Sequence, residues 1–134
     1  MKELKNLIAQ LDTLKKIGSA GKMVSGLTMD SREVKKNFVF FAIKGTAADG
    51  HNFISKAIEL GATTIVCEEQ PEELVKGISY LIVWNSSEAM GIIADAYYDN
   101  PSSKLKLVGV TGTNGKTSVV TLLFDLFRKM KYKV

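Results

Sequence analysis

An apolar run, Leu105, Leu107, Val108 and Val110, leads into Thr111-Gly112-Thr113-Asn114-Gly115-Lys116-Thr117-Ser118. Val119, Leu122, Leu123, Leu126, Phe127 and Met130 follow at the spacing of one helical face. Strand, glycine turn and helix in that order are the opening half of a βαβ unit, so the chain is constrained towards an α/β architecture. The glycines let backbone N–H groups crowd round an anion where a Cβ would obstruct it. The helix behind them points roughly half an elementary charge at the same spot. Lys116 adds a full charge, and Thr117 offers a hydroxyl to a Mg²⁺ bridging phosphates. Gly112, Thr113, Asn114, Gly115, Lys116, Thr117 and Ser118 therefore read as a cradle for the phosphates of ATP or GTP. The glycine that the strict pattern places five residues before Gly115 is Val110 here, which makes the loop a variant. The bland alternative is a glycine turn with Lys116 merely solvated. The strand before and the helix after favour the cradle.

The rest of the chain alternates in the same way. Leu4, Leu7, Ile8, Leu11 and Leu14 mark one face of a first helix, ended by Gly18 and Gly21. Met23 to Met29 reads as a strand, Asp30-Ser31-Arg32 as a polar loop, and Phe38 to Ile43 as a strand too apolar for any place but the interior. Gly45 to Gly50 is a loop with an Asp-Gly turn. Phe53, Ile54, Ala57 and Ile58 face the core from a helix ending at Gly61, and Thr63 to Cys67 is the next strand. Pro71-Glu72-Glu73 predicts a short helix, Tyr80 to Trp84 a strand, and Ser86 or Ser87 the cap of a helix running to about Tyr98. The pattern predicts an α/β domain over residues 1–100, with a small, mostly parallel sheet and packed helices. A linker and the start of a second domain occupy 101–134. Tyr132-Lys133-Val134 reads as the onset of a further strand, and one strand cannot make a sheet. The chain is accordingly expected to be the N-terminal fragment of a larger enzyme.

Composition narrows the function classes. The formal net charge is +4, but Lys15-Lys16, Lys35-Lys36 and Arg128-Lys129 are separate pairs without interleaved aromatics, so no nucleic-acid partner is expected. No apolar run approaches the ~20 residues of a membrane span, and no membrane partner is expected. The single cysteine, Cys67, reads as a buried strand residue in a reduced, cytoplasmic compartment. One histidine and one cysteine cannot build a four-ligand metal site. His51 reads as a structural hydrogen-bonding residue, and Trp84 as core or domain-edge packing. Asp30 and Arg32 either pair with each other or touch a ligand.

Five segments together carry a family resemblance. Met29-Asp30-Ser31-Arg32, Phe41-Ala42-Ile43-Lys44-Gly45, Asp49-Gly50-His51-Asn52-Phe53, Ala57-Ile58-Glu59-Leu60-Gly61-Ala62 and Thr111 to Ser118 occur in the order and spacing of a Mur ligase. The resemblance covers essentially the whole chain and the first quarter to third of the family's length. It implies a UDP-binding first domain in which Met29, Ser31, Thr46, Ala47 and Ala48 contact the substrate. It implies an ATP-binding second domain that holds ATP and Mg²⁺ through Gly112 to Ser118, with Lys116 as the catalytic cation and Thr117 as the metal contact. The implied activity adds the third residue of the peptidoglycan stem peptide to a UDP-N-acetylmuramoyl dipeptide through an acyl phosphate. The fragment itself is expected to be inactive, because the metal carboxylates and the amino-acid pocket lie further along the family's chains. The related dipeptide-adding ligase and a stand-alone UDP-sugar-binding module remain as alternatives.

Overall fold

The computed structural model describes residues 1–45 and 48–134. In chain order the described elements are β1 (Lys2–Glu3), α1 (Leu4–Leu7), β2 (Lys15–Ile17), β3 (Met23–Val24), β4 (Gly26–Thr28), β5 (Phe38–Phe41), α2 (Ile54–Glu59), β6 (Ala62–Cys67), β7 (Ser79–Ile82), α3 (Ser86–Tyr97) and α4 (Lys116–Lys129). They separate into two units, Met1–Pro101 and Ser102–Val134.

The first unit is built on a five-stranded sheet of order β2-β7-β6-β5-β4. β4, β5, β6 and β7 run parallel, and β2 joins β7 antiparallel at the edge. A mostly parallel sheet is buried on both faces, and the alternation of side chains shows why this one is. Val39, Phe41, Val66, Leu81 and Val83 point to one face, where Leu4, Leu7, Ile8 and Leu11 and the α3 residues Ala89 and Ile93 cover them. Phe40, Ala42, Ile65, Cys67, Tyr80 and Ile82 point to the other, under Val34 and the α2 residues Ile54 and Ala57. β5 is thus an interior strand buried on both sides, as its sequence requires. Cys67 lies wholly inside, and burial pushes its thiol up to about 12, far from reactivity.

Several local expectations give way to tertiary structure. The first helix stops at Leu7 instead of continuing to Leu14. Residues 15–17 instead form the edge strand β2, and the Leu14 N–H donates to the Ile82 carbonyl. Leu4, Leu7, Ile8 and Leu11 are still buried, whereas Leu14 is half exposed. The strand expected over 23–29 divides into β3, paired with β1, and β4, paired with β5. Pro71-Glu72-Glu73 opens no helix: residues 71–78 are irregular, with a bend at 72–73 and a turn at 76–77, since a single exposed turn does not offset the cost of helix nucleation. Asn85 caps α3 in place of Ser86 or Ser87, its side-chain oxygen accepting from the Glu88 N–H. Trp84 is 76% exposed and belongs to no core.

In the second unit α4 forms as its periodicity predicts, but none of its residues is buried. Residues 105–110 are assigned to no strand, nor are 132–134, because a strand exists only by pairing and no described segment pairs with them. No helix among the described residues is long and apolar enough to cross a membrane.

Phe40→Ala is expected to destabilise the first unit by about 3–5 kcal/mol, the cost of emptying a fully buried aromatic site; urea unfolding of the variant checks this. Hydrogen exchange should also find the β5 and β6 amides far slower than those of α4.

Candidate functional site

Because β4, β5 and β6 are parallel, the loops that leave their carboxyl ends gather on one edge of the sheet, where α/β proteins place ligands. The loop after β4 brings Met29, Asp30, Ser31 and Arg32, and the loop after β5 brings Ile43, Gly45, Ala48 and Gly50. Phe53, immediately before α2, and Lys56 in its first turn complete the lining. Together they line an open cleft of about 480 Å³. Met29, Ser31 and Ala48, expected as substrate contacts, therefore share one cavity. Thr46 and Ala47 lie outside the described residues. The sequence does not mark Ile43, Phe53 and Lys56 as cleft residues, because nothing local tells which side of a short helix meets a loop thirteen residues earlier.

Ser31 is over nine-tenths buried, yet its hydroxyl has no partner among the described residues. A hydroxyl on a cleft wall with no internal partner is available to a ligand. Met29 and Phe53, both exposed, offer apolar surface beside it. Asp30 and Arg32 pair with each other. The guanidinium donates from Nε to Oδ1 at 2.9 Å and from Nη2 to Oδ2 at 2.6 Å, while the Arg32 backbone N–H donates to Oδ1. These side-chain hydrogen bonds, then the backbone one, hold the Asp30 carboxyl down at about 2.

The loop after β5 is locked from beneath. Gly50 N–H donates to the Ile43 carbonyl, and a Cβ at Gly50 would sit 2.6 Å from the Ile43 nitrogen, which only glycine avoids. Asp49 accepts from the His51 N–H at 2.9 Å and faces His51 Nδ1 at 2.6 Å. The Glu68 N–H donates to His51 Nε2 at 3.0 Å, which places the ring proton on Nδ1, towards Asp49. Glu68 in turn accepts from the Ser86 N–H and hydroxyl at the start of α3. The Ser86 N–H keeps the Glu68 carboxyl below its ordinary range. His51 is thus a structural residue that ties its own loop to the segment after β6, from which Glu68 reaches on to the start of α3.

The glycine loop of the second unit has its own geometry. Gly115 is the cap residue of α4 at φ +76°, a left-handed conformation that disfavours any side chain. No side chain caps the helix, so the first-turn N–H groups of Lys116, Thr117 and Ser118 face outward unsatisfied. Lys116 Nζ folds back over the loop and donates to the Gly112 carbonyl at 2.5 Å. Thr113, Asn114, Thr117 and Ser118 are all exposed. Uncapped N–H groups, a flexible cation and an exposed hydroxyl are the kind of donor set that can receive an anion.

A family model described as "Mur ligase family, catalytic domain" matches residues 23–98, more than half of the chain. The chain belongs to the Mur ligase family. Among curated proteins, the UDP-N-acetylmuramoyl-L-alanyl-D-glutamate--2,6-diaminopimelate ligase of Cytophaga hutchinsonii is 49% identical over 132 residues, covering 98% of this chain and 27% of the relative. The enzyme of the same name from Phocaeicola vulgatus is 47% identical over 131 residues, with the same coverage. The chain thus spans about a quarter of the length of these Mur ligases. Among solved structures, the MurF ligase of Thermotoga maritima in complex with ADP superposes with a TM-score of 0.56 at 28% identity, over 77% of this chain and 23% of that one.

Two predictions arise from these contacts. A carboxyl lowered in the fold contributes its stability above its ordinary value of 3.8 and loses it as pH falls through about 2. The Asp30 carboxyl should therefore titrate near 2 by NMR, and Arg32→Gln should move that midpoint up towards 3.8. His51→Ala should cost about 1–3 kcal/mol in denaturant unfolding, because it leaves the Glu68 N–H without its acceptor.

Proposed function

We propose that this chain is the N-terminal part of a cytoplasmic, ATP-dependent ligase of peptidoglycan synthesis. The whole enzyme joins an amino acid to the peptide carboxylate of a UDP-N-acetylmuramoyl dipeptide, as the third residue of the stem peptide. The names of the curated relatives favour 2,6-diaminopimelate as that amino acid. Their 47–49% identity, against 28% for the MurF structure, favours this reading over the dipeptide-adding ligase. The single observation that carries the UDP assignment is Ser31, a largely buried residue on the wall of a cleft beside apolar Met29 and Phe53, whose hydroxyl has no partner among the described residues. Met29, Ser31, Thr46, Ala47 and Ala48 are the substrate contacts in this reading.

ATP binds at Gly112 to Ser118 in this reading, and the ADP complex of the Thermotoga maritima MurF ligase supports it. The N–H groups of the first turn of α4 hold phosphate oxygens, and Lys116 swings from the Gly112 carbonyl to the transferring phosphoryl group. The donor set fits a Mg²⁺ bound with ATP, since the exposed Thr117 hydroxyl stands on the same helical turn. When bound, that ion neutralises charge on the phosphates. The γ-phosphoryl passes to the dipeptide carboxylate and ADP leaves. The amine of the incoming amino acid then attacks the acyl phosphate, losing a proton and expelling inorganic phosphate. Lys116 contributes by charge, positioned where negative charge is redistributed.

In the full-length enzyme Lys116→Ala is expected to lower turnover on the order of 10²–10³-fold, the usual cost of one such electrostatic contact. UDP-substrate binding should stay nearly unchanged. Ser31→Ala should do the reverse, weakening substrate binding first. A coupled ADP-release assay beside calorimetric titration separates the two. Near-normal turnover of Lys116→Ala would remove the cradle assignment.

A further inference from the structure

The cleft has two cationic side chains on its wall, and they differ in what already holds them. Arg32 is engaged by Asp30 through two nitrogens, so its charge is largely offset within the protein. Lys44 does not line the cleft and is paired with Glu69 at 2.5 Å. Lys56 is exposed, lines the cleft, and has no hydrogen-bond or ion-pair partner among the described residues. It stands on α2, which packs against the turn carrying Ser31, and its charge is felt at Asp30. The wall thus combines an apolar surface, an unpartnered hydroxyl and a cation held by no hydrogen bond or ion pair among the described residues. An apolar surface with one hydroxyl suits a nucleoside, and the cation adds a preference for anionic groups attached to it.

We propose that Lys56 is the diphosphate-recognising residue of this cleft, the side chain by which it distinguishes a nucleoside diphosphate from the bare nucleoside. This rests on the UDP reading of the site. Lys56 acts as a point charge on a flexible stem, so its contribution falls with added salt, and arginine can replace it. Arg32 does not take this role, because binding phosphate would require giving up its contacts to Asp30.

Calorimetric titration of the 134-residue chain with UDP and with uridine tests the proposal. Lys56→Gln is expected to weaken UDP roughly tenfold at low salt, as loss of a charge-assisted hydrogen bond would, and to leave uridine unchanged. The difference should shrink as salt rises, and Lys56→Arg should restore most of the UDP affinity. A merely structural role would move both ligands together and show no salt dependence. Equal loss for UDP and uridine, or unchanged UDP binding by Lys56→Gln, would overturn the role of Lys56 while leaving the UDP site standing. Failure of the unaltered chain to bind either ligand would overturn the site reading itself, and the role of Lys56 with it.

Discussion

Two-sided burial of β5 and β6 is the constraint on which the first unit depends. Val39, Phe40, Phe41, Ile65 and Val66 have no exposed surface, and consecutive residues along a strand point to opposite faces. Both faces must then be covered, α2 on one side and the N-terminal segment with α3 on the other. Covering helices between strands makes the strands parallel, and parallel strands put their outgoing loops on the same edge. The cleft is a consequence of that sequence of requirements.

What gives the edge a fixed shape is a set of hydrogen bonds between loops. Asp49 orients His51, His51 accepts from Glu68, and Glu68 accepts from Ser86, so the chain segments after β5, β6 and β7 are bound in series. Each polar group satisfies the next in a partly buried place where an orphan would be costly. The groups that line the cleft are different in kind: the Ser31 hydroxyl and the Lys56 amine take no partner among the described residues. The division between saturated groups that hold the loops and unsaturated ones that face the cleft is the electrostatic plan of the site.

The second unit shows the same division on a smaller scale. The glycine loop reaches its conformation through local backbone preferences, with Gly115 in a left-handed geometry and a helix starting at once behind it. Its first-turn N–H groups need no tertiary support to take their direction. Its apolar residues do: Val119, Leu122, Leu126 and Met130 all stay exposed, since their burial would require a sheet that residues 105–110 cannot form alone.

Local pattern by itself determined the features that depend on neighbours in sequence. The two-faced strand at Phe38–Phe41, the glycine loop with its helix, and the adjacency of Met29 and Ser31 at a strand end were all legible, because period, turn chemistry and capping act over a few residues. The Asp30–Arg32 pair and the Asn85 cap are local too, two and three residues apart, but several neighbouring residues could have made them and the pattern does not choose. Tertiary structure alone decided that Lys15–Ile17 is a strand and that Lys56 reaches the same cleft as Ser31, because each depends on segments that the fold, and not the local pattern, brings together. The energy of such a contact is set by which groups meet, and no periodicity along the chain encodes it.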